Sequence, residues 1–66
     1  MSPRKQESVE LTFLLLGETE LAYSVAESED DTAFWLPKSQ VEVVKQDKYY
    51  ITLDIPEWLA DKHSLI

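Results

Sequence analysis

The fold is decided by the stretch Tyr49-Tyr50-Ile51-Thr52-Leu53-Asp54-Ile55-Pro56-Glu57-Trp58-Leu59-Ala60, in which the periodicity of the chain changes. Up to Ile55, apolar side chains alternate with more polar ones, as in a half-buried β-strand. Pro56 followed by Glu57 is typical of a helix N-terminus, because proline suits the first helical position and an acid favours the helix dipole. We therefore predict a strand over 49–55 that runs into a short helix over 56–62.

The predicted helix must dock on the rest of the domain, because a helix of two turns is marginal by itself. Trp58 and Leu59 are the expected anchors, and Leu65 and Ile66 are expected to pack back on the sheet. Truncation of a buried aromatic side chain typically costs about 3–5 kcal/mol, so Trp58→Ala is expected to threaten folding. Tyr49 is in phase with the alternating apolar residues Ile51, Leu53 and Ile55 of its strand, so it is predicted to be buried.

Four segments upstream show strand periodicity or are rich in β-branched residues, and together they predict a sheet. They are residues 9–16, 21–26, 32–36 and 41–44. Gly17, the only glycine of the chain, is expected to provide the tight reversal after the first strand, since glycine tolerates positive φ. Residues 20–29 also carry helix-forming Ala and Glu, so a helix there is the competing interpretation.

Five short strands at regular spacing followed by one helix predict a mainly β fold. We expect either a small five-stranded curled meander or an SH3-like barrel, with the short C-terminal helix packed against it. The tight turn expected at 37–40 resembles the helical turn before the last strand of SH3-like barrels. Residues 1–7 are predicted to be a disordered tail and residues 8–66 a single small β domain. The expected core consists of the inward-facing apolar residues Val9, Leu11, Phe13, Leu15, Leu21, Tyr23, Val25, Phe34, Leu36, Val41, Val43, Ile51, Leu53, Ile55 and Leu59.

The composition excludes several kinds of site. The 66 residues include no cysteine and one histidine, so a cysteine nucleophile and a Cys-based zinc site are both ruled out. The single histidine, His63, lies three residues from the end of the chain and is expected to be solvated. One isolated glycine cannot build a phosphate-binding loop. We therefore expect no enzymatic activity, no cofactor and no bound metal.

Charge is distributed unevenly along the chain, whose formal net charge is −7. Residues 6–37 hold eight acids and no base. Because duplex DNA and anionic membranes attract cationic surfaces, this balance argues against both as partners. The most apolar run, residues 11–16, is far shorter than the roughly 20 residues that a spanning helix needs.

An acidic first half can keep a small protein soluble, or it can present a binding surface to a basic partner. On the second hypothesis the chain is a small acidic non-enzymatic accessory protein that binds another protein, with an inhibitor-like or nucleic-acid-mimicking surface. The sequence also leaves a homodimer open. The candidate partner-binding residues are Glu27, Glu29, Asp30, Asp31, Trp35 and Lys38.

The alternative function is an accessory role in binding single-stranded nucleic acid. Aromatic and basic side chains are the ingredients of such sites, because bases stack on the aromatics while the cations follow the phosphates. Trp35 and Tyr50 fall on the polar parity of their strands and are expected to be exposed. The residues that would form this patch are Trp35, Lys38, Lys45, Lys48 and Tyr50.

Two sequence boxes in the C-terminal half carry a resemblance. The first is Phe34-Trp35-Leu36-Pro37-Lys38-Ser39-Gln40-Val41, and the second is Ile55-Pro56-Glu57-Trp58-Leu59-Ala60 followed by a Leu-Ile ending. Together they resemble a group of small uncharacterised phage and prophage proteins with the same two boxes in the same order. The resemblance covers residues 33–66, whereas the acidic first half departs from the pattern, as does the length of the stretch 45–54. It implies a mobile-element origin, a compact domain, a non-catalytic accessory role and a location in the cytoplasm of a bacterial host cell.

Overall fold

Residues 7–65 are described by a computed structural model, in which five strands precede one helix. The mainly β fold class, with five strands and a short C-terminal helix, is confirmed. Most of the predicted tail, residues 1–6, and also Ile66 lie outside the described residues. The elements are β1 (Ser8–Glu18), β2 (Ala22–Ala26), β3 (Phe34–Pro37), a 3-10 turn (Lys38–Gln40), β4 (Glu42–Gln46), β5 (Tyr50–Pro56) and α1 (Glu57–Lys62).

All five strands pair antiparallel in one sheet with the order β3-β2-β1-β5-β4. The first three strands follow one another as a meander, and the β4–β5 hairpin returns to the other side of β1. Within residues 7–65, β3 and β4 stay at the two edges, so the sheet is open rather than closed into a barrel. Residues 22–26 form β2, so the competing helix over 20–29 is not formed.

The core lies on one face of the sheet and beneath α1. The predicted core is wrong for two residues: Leu21 is 79% exposed and Val43 is 43% exposed. Leu21 lies in the turn before β2, where strand alternation does not apply. Val43 lies on the edge strand β4, which within residues 7–65 has a strand neighbour on one side only. The buried cluster is Phe13, Tyr23, Val25, Leu36, Ile51, Leu53, Ile55, Leu59 and Ala60, against which Val9, Leu11, Leu15, Phe34, Val41 and Leu65 pack partly buried.

The helix docks through Leu59 and Ala60 and not through Trp58. Leu59 and Ala60 are buried, whereas Trp58 is 48% exposed, so the prediction that Trp58 anchors the helix is wrong. A six-residue helix presents only a narrow stripe to the sheet, and the chain path out of β5 turns that stripe toward Leu59 and Ala60. The methyl side chain of Ala60 also lets the helix backbone approach the sheet closely.

The C-terminal end of α1 is tied to the far side of the sheet. The His63 ring stacks on Phe34 of β3 with centroids 4.7 Å apart, and the edge of Phe34 meets Phe13 at 5.8 Å. His63 is therefore half-buried, and the expectation that it is solvated is wrong. The stacking joins the end of the helix to the edge strand β3.

Side-chain oxygens, and not glycine, close the two tight turns. Gly17 lies inside β1 next to a register shift, and its φ is not positive, so the predicted role in the reversal is wrong. The β1–β2 turn is formed instead by Thr19, whose Oγ1 accepts hydrogen bonds from the N–H groups of Leu21 and Ala22. At the β4–β5 turn, Asp47 Oδ1 accepts from the N–H groups of Tyr49 and Tyr50.

Tyr49 therefore belongs to the β4–β5 turn, whose geometry Asp47 imposes. β5 begins one residue later, at Tyr50, and the Tyr49 ring points to solvent. The prediction that Tyr49 is buried is wrong, because strand alternation does not extend into the turn. Only its backbone carbonyl is engaged with the sheet, where it accepts a hydrogen bond from Leu15.

Candidate protein-binding face

The face of the sheet opposite the core is called here the outer face. Side chains alternate between the two faces of a strand, and residues paired across strands share a face. The outer face therefore carries the residues that alternate with the core cluster, in rows that run across the strands, and it includes Ala26, which is itself buried. Leu14 on β1 pairs with Ala26 on β2 and with Tyr50 on β5, which makes one such row apolar.

Beside this apolar row lies a second row that ends in an exposed tryptophan. Ser24 of β2 pairs with Gly17 on one side and with Trp35 of β3 on the other. Gly17 has no side chain and Ser24 has a small one, so no large side chain stands beside the Trp35 indole in this row. Trp35 and Tyr50 are both about half exposed, as their parity predicts.

Acidic residues of the β2–β3 loop border the apolar row. Leu14 and Tyr50 form one side of an open hollow whose other side consists of Glu27, Ser28, Glu29 and Asp30. This site is called here the acid-rimmed hollow. The structure thus brings three of the predicted protein-binding acids next to Leu14, which the sequence pattern does not single out, and next to Tyr50, which the sequence places only in the alternative nucleic-acid patch. No cation is paired with these three acids within residues 7–65.

The fourth loop acid, Asp31, has a local structural role. Its carboxylate accepts a hydrogen bond of 3.0 Å from the Ser28 hydroxyl, and its N–H donates to the Ser28 carbonyl at 3.1 Å. These two bonds close the loop into a turn that keeps Glu27, Glu29 and Asp30 together. Asp31 does not line the hollow.

Lys38 lies at the other end of the sheet and does not join the hollow. Its Nζ donates to Glu18 Oε2 at 2.6 Å and sits 4.9 Å from the centre of the Tyr23 ring. Successive turns of a meander fall at opposite ends of the strands, which separates the turn after β3 from the loop before it. The prediction that Lys38 shares a binding surface with the loop acids is therefore wrong, because the structure places them apart.

The aromatic and basic residues of the nucleic-acid hypothesis do not form one patch. Trp35 is on β3 and Lys45 on β4, the two opposite edges of the sheet, about 19 Å apart at the usual strand spacing. Lys38 is paired with Glu18, and Lys48 lies over the ring of Tyr49 at 5.5 Å. Of this set, Lys45 and Tyr50 alone lie on neighbouring strands.

A row of three acids crosses the outer face away from the hollow. Asp54 of β5 pairs with Glu10 of β1 on one side and with Glu42 of β4 on the other. The parity of the strands predicts that each faces outward, but only the strand order shows that they are neighbours. Carboxylates directly opposite each other repel, so this row raises the negative potential of the face. No group of side chains within residues 7–65 has the arrangement to hold a metal ion.

Comparison with known proteins leaves the function open. No family model, curated protein sequence or solved structure matches this chain. The resemblance to small phage and prophage proteins therefore stays a prediction. Within residues 7–65, no helix is both long and apolar enough to cross a membrane.

Proposed function

We propose that this chain is a small acidic non-enzymatic accessory protein that binds a basic segment of a protein partner at the acid-rimmed hollow. The observation that carries the proposal is the meeting of Leu14 and Tyr50 with Glu27, Glu29 and Asp30 at one opening. The phage or prophage origin is part of the same proposal, and the two C-terminal sequence boxes support it.

The hollow combines the two features that protein recognition uses most. The exposed Tyr50 and the partly buried Leu14 give contact area, and an aromatic side chain near the centre of an interface commonly dominates its affinity. Carboxylates at the border attract a cationic partner over a longer range and accelerate its association. A partner segment with Lys or Arg beside an apolar side chain would satisfy both halves of the site.

Trp35 extends this surface toward the β3 edge. It shares the outer face with the hollow and lies in the same row as the small residues Ser24 and Gly17. Across the sheet, Trp35 lies two strand spacings from Leu14, or roughly 10 Å, and three from Tyr50, or roughly 14 Å. We assign Trp35 to the rim of the same binding surface.

The position of His63, which packs against Phe34, supports a non-enzymatic role. His63 is the residue best suited to acid–base chemistry near neutral pH, and its ring is stacked on Phe34. It is on the core side, away from the acid-rimmed hollow on the outer face.

The alternative, binding of single-stranded nucleic acid, has one observation in its favour. Trp35 and Tyr50 are both exposed on the outer face, where bases could stack on them. The cations that such a site needs are dispersed, with Lys38 held by Glu18, while acids border Tyr50. The charge distribution favours a basic protein segment over a phosphate backbone.

Capture from a bacterial lysate with charge-matched variants tests the proposal. The hollow variant carries Glu27→Lys, Glu29→Lys and Asp30→Lys, and the control carries Glu7→Lys, Glu20→Lys and Asp61→Lys, which are exposed acids elsewhere. Both triple variants change the net charge equally. Melting curves establish that each variant is folded.

We expect a partner that the native chain and the control capture and that the hollow variant loses. Equal loss by both variants would show attraction to overall charge, and equal retention would show that the hollow is not the site; either result refutes the proposal. Salt-sensitive binding of a single-stranded oligonucleotide that Trp35→Ala abolishes would favour the alternative function.

A further inference from the structure

The edge strand β4 leaves an unusual surface uncovered. All five of its residues are exposed, including Val43 at 43% and Val44 at 52%. One side of its backbone pairs with β5 and the other pairs with no strand among the described residues. An uncovered edge with adjacent valines is a template for another strand. The opposite edge, β3, is shorter and ends at Pro37, which cannot donate a hydrogen bond.

A bulge in β4 changes which side chains share a face. Val43 pairs with Leu53 and Lys45 pairs with Thr52, so Val44 is an extra residue between them. In a regular strand, residues three apart point to opposite faces. Because of the extra residue, Glu42, opposite Asp54, and Lys45, opposite Thr52, both lie on the outer face.

We propose that β4 pairs antiparallel with β4 of a second copy of this chain, in the register that sets Glu42 opposite Lys45 of that copy. The same register sets Val43 of each copy opposite Val44 of the other. The pattern is self-complementary. Because the bulge places Glu42 and Lys45 on the same face, the pairing is identical along either copy. The two sheets then continue as one ten-stranded antiparallel sheet.

The charges on β4 and its neighbours give a second reason to expect another copy of this chain at the β4 edge. Glu42 stands beside Asp54, which stands beside Glu10, and no cation pairs with any of the three within residues 7–65. Lys45 likewise has no acidic partner in that part of the chain. In the proposed register each copy offers Lys45 to the acidic row of the other, so two ion pairs form across the new ladder. Oppositely charged residues that face each other across strands are stabilising.

The pairing is expected to be weak and dependent on concentration. A ladder five residues long covers less area than the ~1,600 Å² of a standard stable interface. The net charge of −7 on each copy also opposes association, so the measurement requires about 0.15 M salt, where the screening length is about 8 Å. The acid-rimmed hollow lies on the outer face near the β2–β3 loop, so its proposed role does not depend on this edge.

A charge-swap series followed by sedimentation velocity, from about 0.02 to about 1 mM chain, tests the proposal. The native chain is expected to dimerise within this range. Glu42→Lys alone sets lysine against lysine, and Lys45→Glu alone sets glutamate against glutamate. Each single variant is expected to dissociate roughly tenfold more readily, since both ion pairs turn repulsive. The double variant Glu42→Lys/Lys45→Glu is expected to regain the native dimer.

The most specific result is expected from mixing the two single variants. One then has lysine at both positions and the other has glutamate, so they are expected to form a one-to-one heterodimer although each alone is mainly monomeric. Glu20→Lys and Lys48→Glu, which make the same charge changes outside β4, serve as controls and are expected to dimerise like the native chain. A native chain that stays monomeric at about 1 mM, or singles that do not associate on mixing, would overturn the proposal.

Discussion

The end of α1 offers a substitution whose effect has an unusual sign. Ser64 is the one non-glycine residue with positive φ among residues 7–65, at 60°. It ends the helix in a Schellman motif: the Leu65 N–H donates to the Ala60 carbonyl at 2.8 Å, and the Ser64 N–H donates to the Asp61 carbonyl at 3.0 Å. Ser64→Gly is therefore expected to stabilise the protein, although glycine in most positions destabilises.

The magnitude follows from two opposing terms. A non-glycine residue in the left-handed region costs roughly 1–2 kcal/mol relative to its preferred conformations. Glycine removes that cost but gives the unfolded chain more freedom, which is worth about 0.5–1 kcal/mol in the other direction. The net expectation is a gain of about 0.5–1 kcal/mol, or roughly 2–8 °C in Tm for a domain of this size.

Thermal and urea unfolding of the native chain, Ser64→Gly and Ser64→Ala measure this effect. Ser64→Ala is the matched control, because it keeps the Cβ that causes the strain and removes only the hydroxyl. We expect the alanine variant to gain nothing in Tm and the glycine variant alone to rise. A fall in Tm for Ser64→Gly would show that the chain does not turn through the left-handed region at this position.

Two further predictions concern the same docking helix and the turn before β5. Leu59→Ala is expected to cost about 2–5 kcal/mol, a large share of the stability of so small a domain, because the side chain is buried against the sheet. Trp58→Ala is expected to cost only about 1–2 kcal/mol, since half of the ring is already in water; urea titrations that reverse this ranking would contradict the assignment of the docking stripe. Asp47→Ala removes the acceptor for two backbone N–H groups and is expected to lower stability by about 1 kcal/mol, whereas Asp47→Asn retains an acceptor oxygen and is expected to recover most of it. Equal stability of these two Asp47 variants would contradict the role of the side chain in the turn.

The candidate site was only partly predictable from the residues. The strands predicted at 21–26 and 32–36 leave the acids at 27–31 in the connection between them, which is where the structure places them. Their contact with Leu14 and Tyr50 could not be predicted, because Tyr50 lies twenty or more residues from Glu27, Glu29 and Asp30 in the chain and only the strand order brings them together. The pairing of Lys38 with Glu18 was missed for the same reason, since the two are brought near each other by the sheet and not by the chain.

What the sequence determines by itself is the set of elements. Period-two alternation and β-branched residues specify the strands, and Pro56 with Glu57 specifies the start of the helix, because these are local properties of the backbone and its immediate neighbours. Which face of α1 docks, which strands lie at the edges and which acids become neighbours depend on contacts between distant parts of the chain. Leu59 rather than Trp58 is buried because the path out of β5 orients the helix. One side of β4 has no strand partner among residues 7–65, because β1, β2 and β3 all lie on the other side of β5. These features are determined by the packing of the whole sheet, and no short stretch of sequence is enough to predict them.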